Sequence, residues 1–307
     1  MKRKYMRNET FEGTFPFKPN IKEINGFDMH YVDEGKGEPI VCVHGEPTWG
    51  YLYRHFITEL SKNNRVVVPD HMGFGKSDVP QDKPYVLARH VDNLTKLLLK
   101  LDLKNITLIM QDWGGPIGFG FATRNPDLIK RLIILNTGVG VFPEGTPPWY
   151  QDTKLEGVPD LGNEEIYNKT LSDMKNFIPI MFKYAIYNQK KVTPIMLKAY
   201  TTPFPNKESS IGAVAFPKDI PIGFSHPSAN FMLETFKNLK KLSDRPKILI
   251  WGLKDPIFPK IVIDLWKSIY RDLKNSTHFI ENASHFLQED ASEEIINYIK
   301  SFLQKNL

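Results

Sequence analysis

Residues 106–124 read ITLIMQDWGGPIGFGFATR. A short, largely apolar run of five residues suits a strand buried on both faces of a mainly parallel sheet, and a helical pattern follows almost at once. A turn this tight needs small residues beyond its apex, which Gly114 and Gly115 supply. Pro116 is tolerated in a first helical turn, because its missing N–H would be unpaired there anyway. Asp112 therefore stands at the apex of a sharp strand-to-helix bend, the shape that presents a nucleophile. Met110 departs from the G-x-S-x-G form of such a bend, which carries a small residue at that position. Taken alone, an Asp at a strand end is more often a helix cap or a structural hydrogen-bond acceptor than a nucleophile.

Short apolar runs of the same kind lie on either side: PIVCV (39–43), VVV (66–68), LIIL (132–135) and ILIW (248–251). Between them, Val91, Leu94, Leu97, Leu98 and Leu101 recur at helical spacing and give one apolar stripe against a sheet. Residues 51–60, 116–123 and 260–270 read as helices too. Asp290 and Glu293 make a capping-box-like start for a last helix that carries Ile295, Ile296, Ile299 and Phe302. Near the start, apolar and polar residues alternate on both sides of Asn25-Gly26, the strongest short signal for a hairpin. Alternating strands and helices imply a doubly wound α/β fold, with ligands at the carboxyl ends of the strands.

One segment breaks the alternation. From residue 142 to 233 the chain is rich in Pro, Phe, Tyr and Met, as in FIPIMFKYAIY, and no buried-strand run returns before Ile248. An insertion of roughly 90 residues is too long for a plain loop and should hold its own helices. The expected organisation is a core over 1–141 and 234–307, with a helical cap over 142–233. A second independent domain would need its own core, and the helical periodicity there is too poor to suggest one.

Composition narrows the classes. The 307 residues hold 41% apolar and 24% charged side chains, as in ordinary globular proteins, and no run reaches the roughly 18 apolar residues of a membrane span. Nothing resembles a secretion signal, and Cys42 alone cannot form an intramolecular disulfide, so a cytoplasmic location is expected. The net charge of +5 is spread thinly over short basic runs, which read as solvated faces rather than a nucleic-acid site.

Three further strand ends carry polar residues. The run 39–43 ends in His44-Gly45-Glu46-Pro47, whose backbone N–H after Gly45 can face the bend. With the N–H of Trp113 it would form a two-donor oxyanion hole. The run 248–251 ends in Gly252-Leu253-Lys254-Asp255, and residues 277–280 precede Asn282-Ala283-Ser284-His285. Nucleophile, acid, histidine is the chain order of the α/β-hydrolase fold. A carboxylate at the bend can displace a leaving group from saturated carbon, and a His-Asp pair can then activate water against the resulting ester. That chemistry calls for no metal, nucleotide or flavin.

HGEPTWGYLYR (44–54), QDWGG (111–115), WGLKDP (251–256) and ASHFLQED (283–290) resemble the haloalkane dehalogenases of the α/β-hydrolase superfamily, over about two-thirds of the chain. Residues 66–94, FSHPSANF (224–231) and LSDRPKILIWG (242–252) are also similar to the dehalogenase-related β-lactone decarboxylases. The resemblance implies an eight-stranded, mostly parallel sheet with helices on both faces and an inserted helical cap. It also implies Asp112 as nucleophile, Asp255 as acid, His285 as base, Glu46 and Trp113 as backbone oxyanion donors, and the Trp113 indole as a halide donor. Expected partners are a small apolar haloalkane or β-lactone and a halide ion, acting on a monomer or homodimer.

The family's second halide donor is a cap tryptophan, or an asparagine directly after the HG pair. Position 46 is Glu, so that role would fall to Trp149, Tyr184 or Tyr187. A β-lactone needs no second donor, because ring strain and a carboxylate leaving group drive its opening. Epoxide hydrolases resemble the triad but use two cap tyrosines, for which Tyr150, Tyr167, Tyr184, Tyr187 and Tyr200 are available. Fluoroacetate dehalogenases carry Arg after the nucleophile, where this chain has Trp113. A catalytically idle binding protein would have little reason to keep all these positions together. Asp70 and Ser77 read as parts of a structural turn and His44 as a residue that orients its loop. Trp251, Trp266 and Cys42 read as core, and GPIGFG (115–120) as close helix packing rather than a phosphate loop.

Overall fold

The computed structural model describes residues 1–146, 161 and 163–306. An eight-stranded sheet runs through it in the order β1-β2-β4-β3-β5-β6-β7-β8. The strands are β1 (Asn20–Ile24), β2 (Phe27–Glu34), β3 (Pro39–Val43), β4 (Arg65–Pro69), β5 (Ile106–Met110), β6 (Ile129–Leu135), β7 (Lys247–Gly252) and β8 (Thr277–Ile280). β1 and β2 form the hairpin that Asn25-Gly26 implies, both turn residues having positive φ. From β4 to β8 neighbouring strands are parallel. Every residue of β5 and of β7 is buried, as expected for strands covered on both faces.

The helices of the alternating part are α1 (Arg54–Leu60), α2 (Leu87–Lys100) and α3 (Gly114–Arg124). The strand order reverses at β3. The β3-α1-β4 crossover runs one way across the sheet, and β4-α2-β5-α3-β6 runs the other. Right-handed crossovers therefore put α1 on one face and α2 and α3 on the opposite one. Such a reversal opens a crevice at the carboxyl ends of the strands, and the polar strand-end residues converge there.

Between β6 and β7 lie α4 (Glu164–Ser172), α5 (Met174–Ala185), α6 (Pro194–Thr201), α7 (Ile211–Lys218) and α8 (Ala229–Asn238). The ends of this excursion are stitched together, since Phe142 donates to Pro221 O (2.9 Å) and accepts from Gly223 N (2.9 Å). Asp219 ties it to the core by accepting from Leu87 N at the start of α2 (2.6 Å) and from Ser228 Oγ (2.6 Å). Residue 233 falls inside α8, which is held to α3 through Arg124 and Thr235 (3.0 Å).

The chain closes with α9 (Ile261–Ile269) and α10 (Leu287–Lys305). The expected capping box at Asp290 is not formed. α10 begins one turn earlier and breaks at Ala291. The Asp290 carboxylate instead accepts from Tyr187 N (3.0 Å), Asn188 N (2.8 Å) and Ser284 N (2.8 Å), which pins the end of α5 to the loop before His285. No helix among the described residues is long and apolar enough to cross a membrane.

Candidate active site

Asp112 occupies the bend after β5 with φ +51°, a conformation that costs a non-glycine residue on the order of 1–3 kcal/mol and survives only where surroundings enforce it. Two hydrogen bonds enforce it here: Asp112 N donates to Asn136 O (3.0 Å), and Thr137 Oγ1 donates to Asp112 O (2.5 Å). Gly45 passes so close that a Cβ there would collide with the Asp112 carboxylate. Met110, the departure from the usual small residue, is accommodated by Gly118, since a Cβ on Gly118 would lie 2.6 Å from the Met110 sulfur. Close packing thus accounts for the glycines of residues 115–120.

The polar groups of four strand ends meet at the Asp112 side chain. Its Oδ1 accepts from Glu46 N (2.7 Å), and its Oδ2 lies 3.5 Å from His285 Nε2. The other imidazole nitrogen, Nδ1, is 3.1 Å from Asp255 Oδ2. Asp255 is itself fixed by Asn136 Nδ2 (2.7 Å) and by the N–H groups of Ile257 (2.7 Å) and Phe258 (3.2 Å). Neither the N–H nor the indole N–H of Trp113 has an acceptor among the described residues, and the indole stacks on Phe216 with centroids 4.8 Å apart. Burial disfavours the His285 imidazolium, but Asp255 and Asp112 on either side outweigh it and push its pKa up to about 10.

Sequence reasoning missed three supporting residues. Asn136 bridges β6 to β7, donating to Asp255 and to Gly252 O (3.1 Å) and accepting from Gly252 N (2.8 Å). Gln111 is fully buried, and its amide donates to His285 O (3.1 Å) while lying 3.2 Å from His285 Nε2. Asp290 holds the loop that carries His285. Asn136 and Gln111 act on residues more than a hundred positions away, and Asp290 joins the loop before His285 to the distant Tyr187 and Asn188, so no local pattern marks these roles.

A pocket opens in front of Asp112, lined by Glu46, Pro47, Trp113, Leu171, Met174, Phe177, Met181, Pro217, Ile257 and His285. About 30 Å³ is free there, room for one or two waters or a single small ion. α5 turns one face inward with Met174, Phe177 and Met181. The expected halide donors Tyr184 and Tyr187 do not line the pocket. By that point α5 is tied to the β8–α10 loop, with Ser284 Oγ donating to Tyr184 O (3.0 Å) and Phe286 N to Ala185 O (2.9 Å). Tyr187 is half exposed on an outer groove beside Asp290. Trp149 and Tyr150 lie outside the described residues. Tyr167 donates to Val214 O (3.0 Å) and Tyr200 to Glu289, so neither hydroxyl serves the pocket either.

The residues read as structural behave that way. Asp70 accepts from His30 Nδ1 (2.8 Å), Gly50 N (2.7 Å) and Lys76 N (2.7 Å), and Ser77 Oγ donates to Asp70 O (2.7 Å). His44 Nδ1 meets Gly45 O (2.8 Å) and its Nε2 accepts from His71 N (3.0 Å), so it orients the Gly45 loop. Burial pushes the Cys42 thiol far up, leaving it inert. Among the described residues, no group of three or more His, Cys, Asp or Glu is arranged to hold a metal ion.

Residues 38–292 match the α/β hydrolase fold family. A cis-3-alkyl-4-alkyloxetan-2-one decarboxylase of Shewanella oneidensis is 34% identical over 295 residues, covering 94% of this chain and 89% of that protein. A haloalkane dehalogenase of Mycolicibacterium paratuberculosis is 33% identical over 299 residues, covering 94% of each. Among solved structures, the haloalkane dehalogenase DatA of Agrobacterium tumefaciens superposes with a TM-score of 0.82 at 26% identity, covering 94% of this chain and 97% of that one. The tetrameric haloalkane dehalogenase DpaA of Paraglaciecola agarilytica gives 0.79 at 29%, covering 97% and 96%. The chain belongs to the α/β hydrolase fold family and is an enzyme of that class, related to both haloalkane dehalogenases and β-lactone decarboxylases.

Proposed function

We propose that the enzyme hydrolyses haloalkanes through an ester on Asp112, water being activated by His285 and Asp255. The observation that carries this reading is a carboxylate, in place of a hydroxyl, at the strained bend, with His285 3.5 Å from its Oδ2 and the pocket in front of it otherwise largely apolar. Oδ2 attacks the carbon, the carbon–halogen bond breaks, and the halide leaves with the bonding pair beside the Trp113 indole N–H. His285, oriented by Asp255, then takes a proton from water as the water attacks the Asp112 carbonyl carbon. The oxyanion forms on Oδ1, where Glu46 N already sits at 2.7 Å and the N–H of Trp113 is open. Removing one such donor costs about 3 kcal/mol, roughly a hundredfold in rate. The helices between β6 and β7 act as a cap, α5 supplying the apolar roof.

A second reading keeps the machinery and assigns it to β-lactones, whose ring opens at Asp112 and fragments to alkene and carbon dioxide. It is favoured by the likeness to the Shewanella oneidensis decarboxylase and by the lack of a cap tyrosine among the described residues that line the pocket. That same lack counts against epoxide hydrolysis. Incubation with 1-bromobutane and 1,2-dibromoethane is expected to release bromide. No release across a range of chain lengths rejects the dehalogenase reading, and alkene with carbon dioxide from a cis-β-lactone establishes the second.

A further inference from the structure

Two acidic residues, Asp112 and Glu46, line the same small pocket. Asp112 is provided for, with Glu46 N on Oδ1 and His285 beside Oδ2. The Glu46 carboxyl makes no hydrogen bond or ion pair with any described residue. Among the described residues, the titratable groups that line the pocket with it are Asp112 and His285, and no Lys or Arg does. His285 is already engaged by Asp255, Asp112 and Gln111. His44, two residues away on the same loop, is held neutral by burial and bonded to Gly45 O and His71 N. A second anion here would face Asp112 across about 30 Å³ walled by Leu171, Met174, Phe177 and Met181. Two carboxylates in such a space cannot both ionise, and the one without donors keeps its proton. Burial and the neighbouring Asp112 accordingly raise the Glu46 pKa well above its usual value.

We propose that Glu46 stands in the pocket as the neutral acid and that its O–H, together with the Trp113 indole N–H, hydrogen-bonds the group leaving the carbon attacked by Asp112. The inference rests on the ester mechanism proposed above. Asp112 Oδ2 forms the new C–O bond, the leaving group departs with the electron pair of the broken bond, and the proton stays on Glu46. One backbone position thus serves both halves of the reaction, its N–H steadying Oδ1 and its side chain meeting the departing anion. The chemistry suits a halide or a ring-opened carboxylate alike.

The test compares wild type with Glu46→Gln, which keeps an N–H donor of similar size, and Glu46→Leu, which removes it. Infrared difference spectra between wild type and Glu46→Gln at neutral pH should contain the carbonyl band of a protonated carboxyl. Quenching of tryptophan fluorescence by iodide should show tenfold to hundredfold weaker binding in Glu46→Leu and near-normal binding in Glu46→Gln. In single turnovers, the rate loss of Glu46→Leu should grow from 1-iodobutane to 1-bromobutane to 1-chlorobutane, because a poorer leaving group leans more on its donors. Absence of the carboxyl band, iodide affinity equal in all three proteins, or a loss uniform across leaving groups overturns the proposal. Wild type that never alkylates overturns the ester mechanism instead, and the band and iodide measurements still judge Glu46.

Discussion

Replacing His285 by Phe separates the two halves of the proposed reaction. Displacement by Asp112 needs no proton transfer, whereas ester hydrolysis loses its base, a loss typically of 10²–10⁴-fold. The structure indicates that the variant folds. Asp255 keeps three donors, Asn136 Nδ2 and the N–H groups of Ile257 and Phe258, so its buried charge is not stranded. The new ring would lie where the imidazole now stacks on Phe258, with centroids 5.8 Å apart, and meets Phe286 edge-on at 4.8 Å. What is lost are the imidazole's polar contacts to Gln111, Asp255 and Asp112, on the order of 1–3 kcal/mol of stability. Incubated with 1-bromobutane, the variant should release about one bromide per chain and then stall. Intact mass should rise by one butyl group, and peptide mapping should put it on Asp112. An unshifted mass under conditions where wild type turns over, or a butyl group elsewhere, refutes the mechanism.

Three further outcomes follow from the same geometry. In the resting enzyme His285 is flanked by two carboxylates and holds its proton up to about 10; esterification of Asp112 removes one of them while burial still lowers the pKa. A proton should therefore be released together with the halide, and an indicator-dye burst that instead follows ester hydrolysis contradicts this. The Gln111 amide, fixed by His285 O, points an N–H at Nε2 and so opposes a proton there. Gln111→Leu should raise the His285 pKa in the ester state, shifting the acid limb of the pH profile for ester hydrolysis to higher pH; an unmoved limb assigns Gln111 a packing role only. Asp70→Ala strands three buried donors and should cost about 3–5 kcal/mol in thermal or urea unfolding. Because His30, His44 and the Lys76 N–H overcome burial to hold the Asp70 carboxyl below its usual range, this contribution is present above the unfolded carboxylate pKa and fades as pH falls through the folded one. A gap between variant and wild type that widens in acid contradicts the assignment.

Much of the scaffold and of the candidate site is legible in the chain because both depend on short-range rules. A parallel strand buried on both faces is largely apolar, so PIVCV, ITLIM and ILIW announce themselves; a bend into a helix within a few residues needs Gly114 and Gly115. The candidate site residues fall at the ends of those runs, so Asp112, Asp255 and His285 can be picked out by looking where each run stops. The last helix shows the limit. Asp290 and Glu293 have the spacing of a capping box, yet Asp290 is drawn to three N–H groups from two other segments, and that stronger set of partners decides its role.

Local pattern determines which residues stand at the carboxyl ends of the strands and in what order. It does not determine what surrounds them. Glu46 as a lone carboxyl facing a second one, Asn136 tying Asp255 to β6, Gln111 beneath the imidazole, and α5 turning away before Tyr184 reaches the pocket all arise only when distant segments pack together. Proton affinity and hydrogen bonding depend on distances through space and on the exclusion of water, and neither quantity is written along the chain.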